Sequence, residues 1–132
     1  MIIRYLDNRK KIMVALETPI CDFGWKAPEF NLIGIDNKYY SFQDIKGTNG
    51  TLVMFICNHC PYVKSVIHRI VEDVTTLKEK GIGVIAIMSN DVNDPKYGEE
   101  DSFDNMKLFS EKNNFVFPYA VSYTHLRAHE TS

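Results

Sequence analysis

The sequence predicts one α/β domain organised around a strand–helix–strand crossover, on three observations. Leu52–Ile56 and Ile82–Met88 are continuous apolar runs bounded by turn residues, the pattern of strands buried on both faces of a parallel sheet. Between them, Val63, Val66, Ile67, Ile70, Val71, Val74 and Leu77 follow the i, i+3, i+4, i+7 spacing of an amphipathic helix. The chain has 132 residues, 45% of them apolar and 12% aromatic, enough for one core.

Ahead of the crossover, Phe30–Ile35 is apolar and β-prone, Asp36-Asn37 supplies a turn, and Lys38–Ser41 returns as a second strand, which makes a hairpin. Ser41, with Asp44 three residues on, caps a short helical turn before Gly47 and Gly50 break it. Pro61 opens the long helix, and Lys78, Lys80 and Gly81 close it. A polar loop, 89–101, follows the second buried run. Its acidic residues Asp91, Asp94, Glu99, Glu100 and Asp101 lack the Gly and Glu spacing of a calcium-binding loop, so they read as solvated. Ser102 caps a second helix carrying Phe103, Met106 and Phe109 and ending near Asn113-Asn114, and Phe115-Val116-Phe117 is a last short strand stopped by Pro118.

The two ends read differently from the middle. Residues 1–12 form a charged prefix, and Met13 would serve equally well as a start. Val121–Ser132 has neither periodicity and resembles translated adaptor or vector sequence, so the domain is expected to span 13–120 and to be incomplete at its C-terminus, with 121–132 a foreign tail.

Charge and hydropathy exclude several function classes. Fifteen Lys and Arg stand against seventeen Asp and Glu, a formal charge of -2 without a basic stripe, which argues against nucleic acid as a partner. No apolar run nears the roughly 20 residues that cross a bilayer, and the N-terminus lacks the basic-then-apolar order of a signal peptide, so the expectation is a cytoplasmic protein with no membrane partner.

Chemistry concentrates at Cys57-Asn58-His59-Cys60-Pro61, where the first buried strand meets the long helix. Ligands of open α/β sheets bind at that edge. Two intervening residues let the sulfurs approach to about 2 Å, and a helix N-terminus favours a thiolate. Motifs of this kind lower a cysteine pKa from about 8.5 to between about 3.5 and 7.5. His59, between the cysteines, would stabilise the reduced thiolate further as an imidazolium and make the disulfide a stronger oxidant. If Pro61 is the first helical residue, Cys60 caps the helix; in the alternative, Cys57 caps it and attacks while Cys60 resolves, and Cys57 is the expected nucleophile. A zinc site would need four ligands, and neither Cys21 nor His68 has the spacing to complete one. Cys21 reads as a structural or additional resolving thiol, His68 as a boundary residue of the helix, and Trp25 and Pro28 as packing for the N-terminal arm. No haem attaches here, because Pro61 follows the second cysteine where a His would be required.

Gly24-Trp25-Lys26-Ala27-Pro28-Glu29-Phe30 resembles the opening of the redoxin group, which includes the AhpC/TSA-type peroxiredoxins and membrane-anchored thiol reductases. Gly34–Ser41, Asp44 and Lys46-Gly47 are similar to that group's hairpin and pre-strand segment, and Leu52–Pro61 to its strand and active-site turn. Within the group the chain looks most like peroxiredoxin-like members of the thioredoxin family with Asn-His-Cys-Pro at the turn. The resemblance implies a three-layer thioredoxin-like fold with an N-terminal β-hairpin, lacking its last hairpin and helix and the cis-proline strand that would follow residue 120. It also implies a thiol–disulfide oxidoreductase with catalytic Cys57, Cys60 and His59 and an active-site turn through Asn58 and Pro61. The expected partners are protein or small-molecule disulfides and a thiol reductant, with no bound cofactor and no metal. Peroxiredoxins carry Pro-x-x-x-Thr/Ser-x-x-Cys; counting back from Cys60 finds Cys57 and Val53 at the Thr and Pro places, which weighs against peroxide reduction by that route. Ile56 replaces the Trp of thioredoxins. The alternatives are an atypical peroxide reductase and a redox-responsive thiol- or metal-binding module without catalysis.

Overall fold

The computed structural model describes residues 22–122. The expectations for a start at Met13, for Cys21, for residues 123–132 of the tail and for a cis-proline strand beyond Ala120 lie outside the described residues.

The chain folds in the order β1 (Asn31–Gly34), β2 (Tyr39–Ser41), α1 (Phe42–Ile45), β3 (Gly50–Phe55), α2 (Pro61–Glu79), β4 (Ile82–Met88), α3 (Phe103–Lys112) and β5 (Tyr119–Val121). These strands make one mixed sheet, β2-β1-β5-β4-β3, with β3, β4 and β5 parallel and β1 antiparallel to both its neighbours.

The hairpin forms as its sequence requires. Asn37 takes the left-handed conformation at φ 61°, a region Asn tolerates, and Asp36 accepts a bond from the Lys38 amide. Asp44 accepts from both the amide (2.7 Å) and the hydroxyl (2.8 Å) of Ser41, which closes the single turn of α1. Further on, Gly47 and Gly83 let two backbones meet: a Cβ on Gly83 would lie 1.8 Å from the Ile45 carbonyl oxygen, and one on Gly47 would lie 2.2 Å from the Gly83 nitrogen.

Alternation along the strands divides the core. Val84, Ala86 and Met88 of β4 face α2 and α3, where Val74, Met106, Phe117, Tyr119 and Val121 join them; Ile85 and Ile87 face the other side with Ile45 and Ala120. Two helices therefore cover one face, whereas among the described residues α1 is the only helix on the other. β4 is buried on both faces as its run predicts, but β3 is not: it is the last strand of the sheet among the described residues, its middle residues are half-buried, and Phe55 is 69% exposed. An apolar run reports the residues a strand carries, and position in the sheet decides how many of them are covered.

Three other expectations shift. The last strand begins after Pro118 rather than at Phe115, because the Phe115, Phe117 and Tyr119 rings gather into an aromatic cluster and the ladder to β4 starts only at Tyr119. Val121 pairs with Ile33 and Met88, and the Ser122 amide donates to the Met88 carbonyl, so the sheet runs past Ala120. Trp25 and Pro28 are exposed rather than packed; their segment joins no strand among the described residues, and Phe30 is its first side chain to reach the core.

Candidate active site

The Ile56 amide makes a bond to the sheet, 3.1 Å to the Ile87 carbonyl, before the chain turns through Cys57–Cys60 into α2. Pro61 occupies the first turn of α2, where its missing N–H costs no helical bond, and Cys60 is the N-cap with extended backbone (φ -66°, ψ 119°). Of the two arrangements open from sequence, the structure has the one in which Cys60 caps the helix and Cys57 precedes it. Both cysteines are free thiols and partly exposed.

The turn is held by a residue from the other side of the site. Asp101, 1% exposed, lies immediately ahead of the Ser102 cap of α3. Its Oδ1 accepts the backbone N–H groups of Asn58 (2.8 Å) and His59 (3.2 Å), and its Oδ2 meets His59 Nδ1 (2.5 Å) and the Asn90 side-chain amide (2.8 Å). An ionised carboxylate can only accept, so in this bond His59 Nδ1 donates to Asp101 Oδ2. The His59 ring also stacks on Tyr97, with centroids 4.5 Å apart and planes 10° apart. Asn58 is fixed in its own right: its Nδ2 donates to the Glu100 carbonyl (3.0 Å) and its Oδ1 accepts from the buried Tyr119 hydroxyl (2.8 Å).

These surroundings correct two expectations. Asp101 is not part of a solvated loop but a buried acceptor engaged by four donor groups. Nor is Cys57 made acidic: burial pushes its thiol up, and the negative charge of Asp101 adds to that against the opposing bonds from the Cys60 amide and the Asn90 side chain. The imidazole of His59 is held to Asp101 through Nδ1. Burial likewise holds the Tyr119 phenol in its protonated form, the form that donates to Asn58.

The Cys57 sulfur, a ring nitrogen of His59 and a carboxylate oxygen of Asp101 lie within 4.8 Å of one another, a set with donor atoms suited to a soft cation. Both carboxylate oxygens are already committed to N–H donors, however, so the cluster is built as a hydrogen-bond centre. A groove of about 330 Å³ lies between Asp36, Tyr40 and Phe115–Tyr119, at the N-terminal end of β5.

All five residues singled out from sequence, Cys57, Asn58, His59, Cys60 and Pro61, thus fall on one turn. Sequence reasoning missed Asp101, Asn90, Tyr97 and Tyr119. The available signal was topological: the loop 89–101 leaves β4 at the edge where β3 delivers the cysteines, so polar residues within it were candidates for the same site.

Residues 23–129 match the AhpC/TSA family. Among solved structures the chain is similar to an uncharacterized conserved protein from Geobacillus kaustophilus, at 36% identity and a TM-score of 0.75 over 87% of this chain and 62% of that one. It is also similar to a hypothetical protein from Sinorhizobium meliloti (22% identity, TM-score 0.74, 86% and 60% of the two chains). A third similar structure is a thiol:disulfide interchange protein of the thioredoxin family from Chlorobium tepidum (22%, 0.59, 76% and 61%). The chain therefore has the expected thioredoxin-like α/β fold and spans about three fifths of the length of each of these structures. No curated protein matches it closely enough to carry an argument.

Proposed function

Because the chain belongs to the AhpC/TSA family of redoxins, we propose that it is a thiol–disulfide oxidoreductase working through the Cys57/Cys60 dithiol. The observation that carries this reading is the pair of free, partly exposed cysteines on a single pinned turn at the C-terminal end of β3. One thiolate attacks a substrate disulfide and expels one substrate thiolate; the second cysteine then attacks the mixed disulfide and expels the other. Two electrons pass to the substrate, and the chain is left with a Cys57–Cys60 disulfide that a thiol reductant must reopen. The substrates are protein or small-molecule disulfides, and the compartment is the cytoplasm. No helix among the described residues is long and apolar enough to cross a membrane.

The test is equilibration of the chain in glutathione buffers of graded potential, followed by alkylation and mass analysis. A two-electron transition of Cys57 and Cys60 between roughly -270 and -120 mV is the expected result. A folded sample in which the pair never oxidises to a disulfide removes the proposal and brings forward the thiol- or metal-binding alternative. Rapid peroxide consumption that survives loss of Cys57 but not of Cys60 instead favours the peroxide reductase.

A further inference from the structure

Asp101 is 1% exposed and engaged by four donor groups, and nothing in the exchange reaction outlined above uses it. We propose that Asp101 sets the redox poise of the pair: by taking up the two backbone amides between the cysteines and placing its charge beside the Cys57 sulfur, it favours the disulfide and makes the dithiol a stronger reductant. This inference rests on the dithiol reading, is independent of which sulfur attacks, and reverses the poise expected from His59 in the motif.

A dithiol becomes a weaker reductant when its surroundings stabilise a thiolate, because the reduced form is then the favoured one. This turn offers little of that stabilisation. The amides of Asn58 and His59, the two residues between the cysteines, both donate to Asp101 Oδ1, at 2.8 and 3.2 Å. The Cys60 amide bonds the Cys57 sulfur, whereas the Cys60 side chain, at the N-cap of α2, makes no cap bond. A carboxylate oxygen of Asp101 lies within 4.8 Å of the Cys57 sulfur, and the Asn90 side chain bonds both: it donates to Asp101 Oδ2 at 2.8 Å and also reaches Cys57. The other groups around the pair do not offset the carboxylate. His59 is bonded to Asp101 itself and stacked on Tyr97, and Tyr119 keeps its phenolic proton under burial and donates it to Asn58. At the rim, Lys64 and Glu100 pair with one another across 3.6 Å.

The effect is read in one equilibrium. Two glutathione thiols reduce the Cys57–Cys60 disulfide: the protein S–S bond breaks, each cysteine takes up one electron and one proton, and the two glutathiones are left joined as their own disulfide. A nearby carboxylate raises the free energy of a thiolate and leaves a thiol or a disulfide nearly untouched, so Asp101 acts through the fraction of the reduced pair that is ionised. It is a positioning residue: it touches no substrate atom and works through the turn and the sulfur beside it.

The experiment equilibrates the 132-residue chain and two variants with reduced and oxidised glutathione at pH 6, 7, 8 and 9, and reads the Cys57–Cys60 disulfide by acid quenching, alkylation and peptide mass analysis. Asp101→Asn keeps the shape and removes the charge. Its equilibrium should move towards the dithiol at least about tenfold at pH 8, which is about 30 mV for a two-electron couple. The ratio to wild type at equal pH, in which the ionisation of glutathione cancels, should grow as pH rises. A merely structural Asp101 would shift the constant by the same factor at every pH. Asn90→Ala keeps the charge and removes the amide that bonds it and Cys57 together; its equilibrium should move the other way, towards the disulfide, at least about threefold. This arm stands even if Asp101→Asn does not fold. An unchanged constant in folded Asp101→Asn, a shift that does not depend on pH, or an Asn90→Ala constant that stays put or moves towards the dithiol overturns the inference. A disulfide that forms alike in all three chains leaves the dithiol function standing and removes only this assignment, while a folded wild type that never forms it removes both.

Discussion

Asn58 shows how much one side chain of the turn carries. It links three segments: its own turn, the loop carrying Glu100, and Tyr119 of β5. Replacing it by Ala leaves the Tyr119 hydroxyl, which is almost fully buried, without its acceptor, and an unsatisfied buried hydroxyl costs about 1–3 kcal/mol. Asn58→Ala should therefore lower the urea midpoint without changing the denaturant slope. Tyr119→Phe removes the other partner of the same bond. The double variant should lose less than the sum of the singles, and strict additivity would show that the bond contributes nothing. His59 was legible as a site residue from its place between the cysteines, but its tie to Asp101 was not, because the two are separated by 41 intervening positions and only the fold brings them together.

Elements were the most legible scale, and their caps and turns carry their own predictions. Ser102 accepts the Asn105 amide at the start of α3, so Ser102→Ala should cost about 1 kcal/mol in chemical denaturation. Because Asp101 is the neighbouring residue, the same change should also raise the alkylation rate of Cys57 if the end of α3 loosens. In the hairpin, the Tyr40 hydroxyl donates to Asp36, a bond that with burial pushes the phenol up to about 12; against the effect of its own burial, the bonds from Tyr40 and the Lys38 amide hold the Asp36 carboxyl below its ordinary value. A phenol bound more tightly to its proton in the folded chain stabilises the fold fully below its unfolded value near 10. That contribution is lost as pH rises from about 10 towards about 12. An alkaline melting series should show that loss in the wild type and lack it in Tyr40→Phe. Gly83→Ala tests the close approach of α1 to β4: with a Cβ 1.8 Å from a backbone oxygen, the strand must move, at a cost of at least about 1–3 kcal/mol. These positions could be read because turns, caps and glycines act locally. The late start of β5 and the exposure of β3 could not, because each depends on which strand lies beside it.

For the molecule as a whole, the outer edge of β3 is its most consequential surface. β3 pairs only with β4 among the described residues, and exposed Phe55 stands at the end that leads into the cysteines. An unpaired edge with an apolar side chain invites association. Sedimentation of the 132-residue chain should show concentration-dependent self-association that Phe55→Lys reduces; an identical profile for the two would show that the edge is not the contact. The crossover, the hairpin and the location of the cysteines at one sheet edge were legible in the sequence because each rests on periodicity. The buried acceptor of the site was not, since a lone Asp in a polar loop carries the same local signal whether it is hydrated or enclosed. Tyr119, finally, serves two masters: its ring packs against Phe115 at 5.3 Å within the aromatic cluster, and its hydroxyl holds Asn58 between the cysteines. Durability and reactivity therefore share a lever. A laboratory selection that asked only for a more heat-resistant protein, and accepted new packing around that ring, would retune the cysteines without altering either of them.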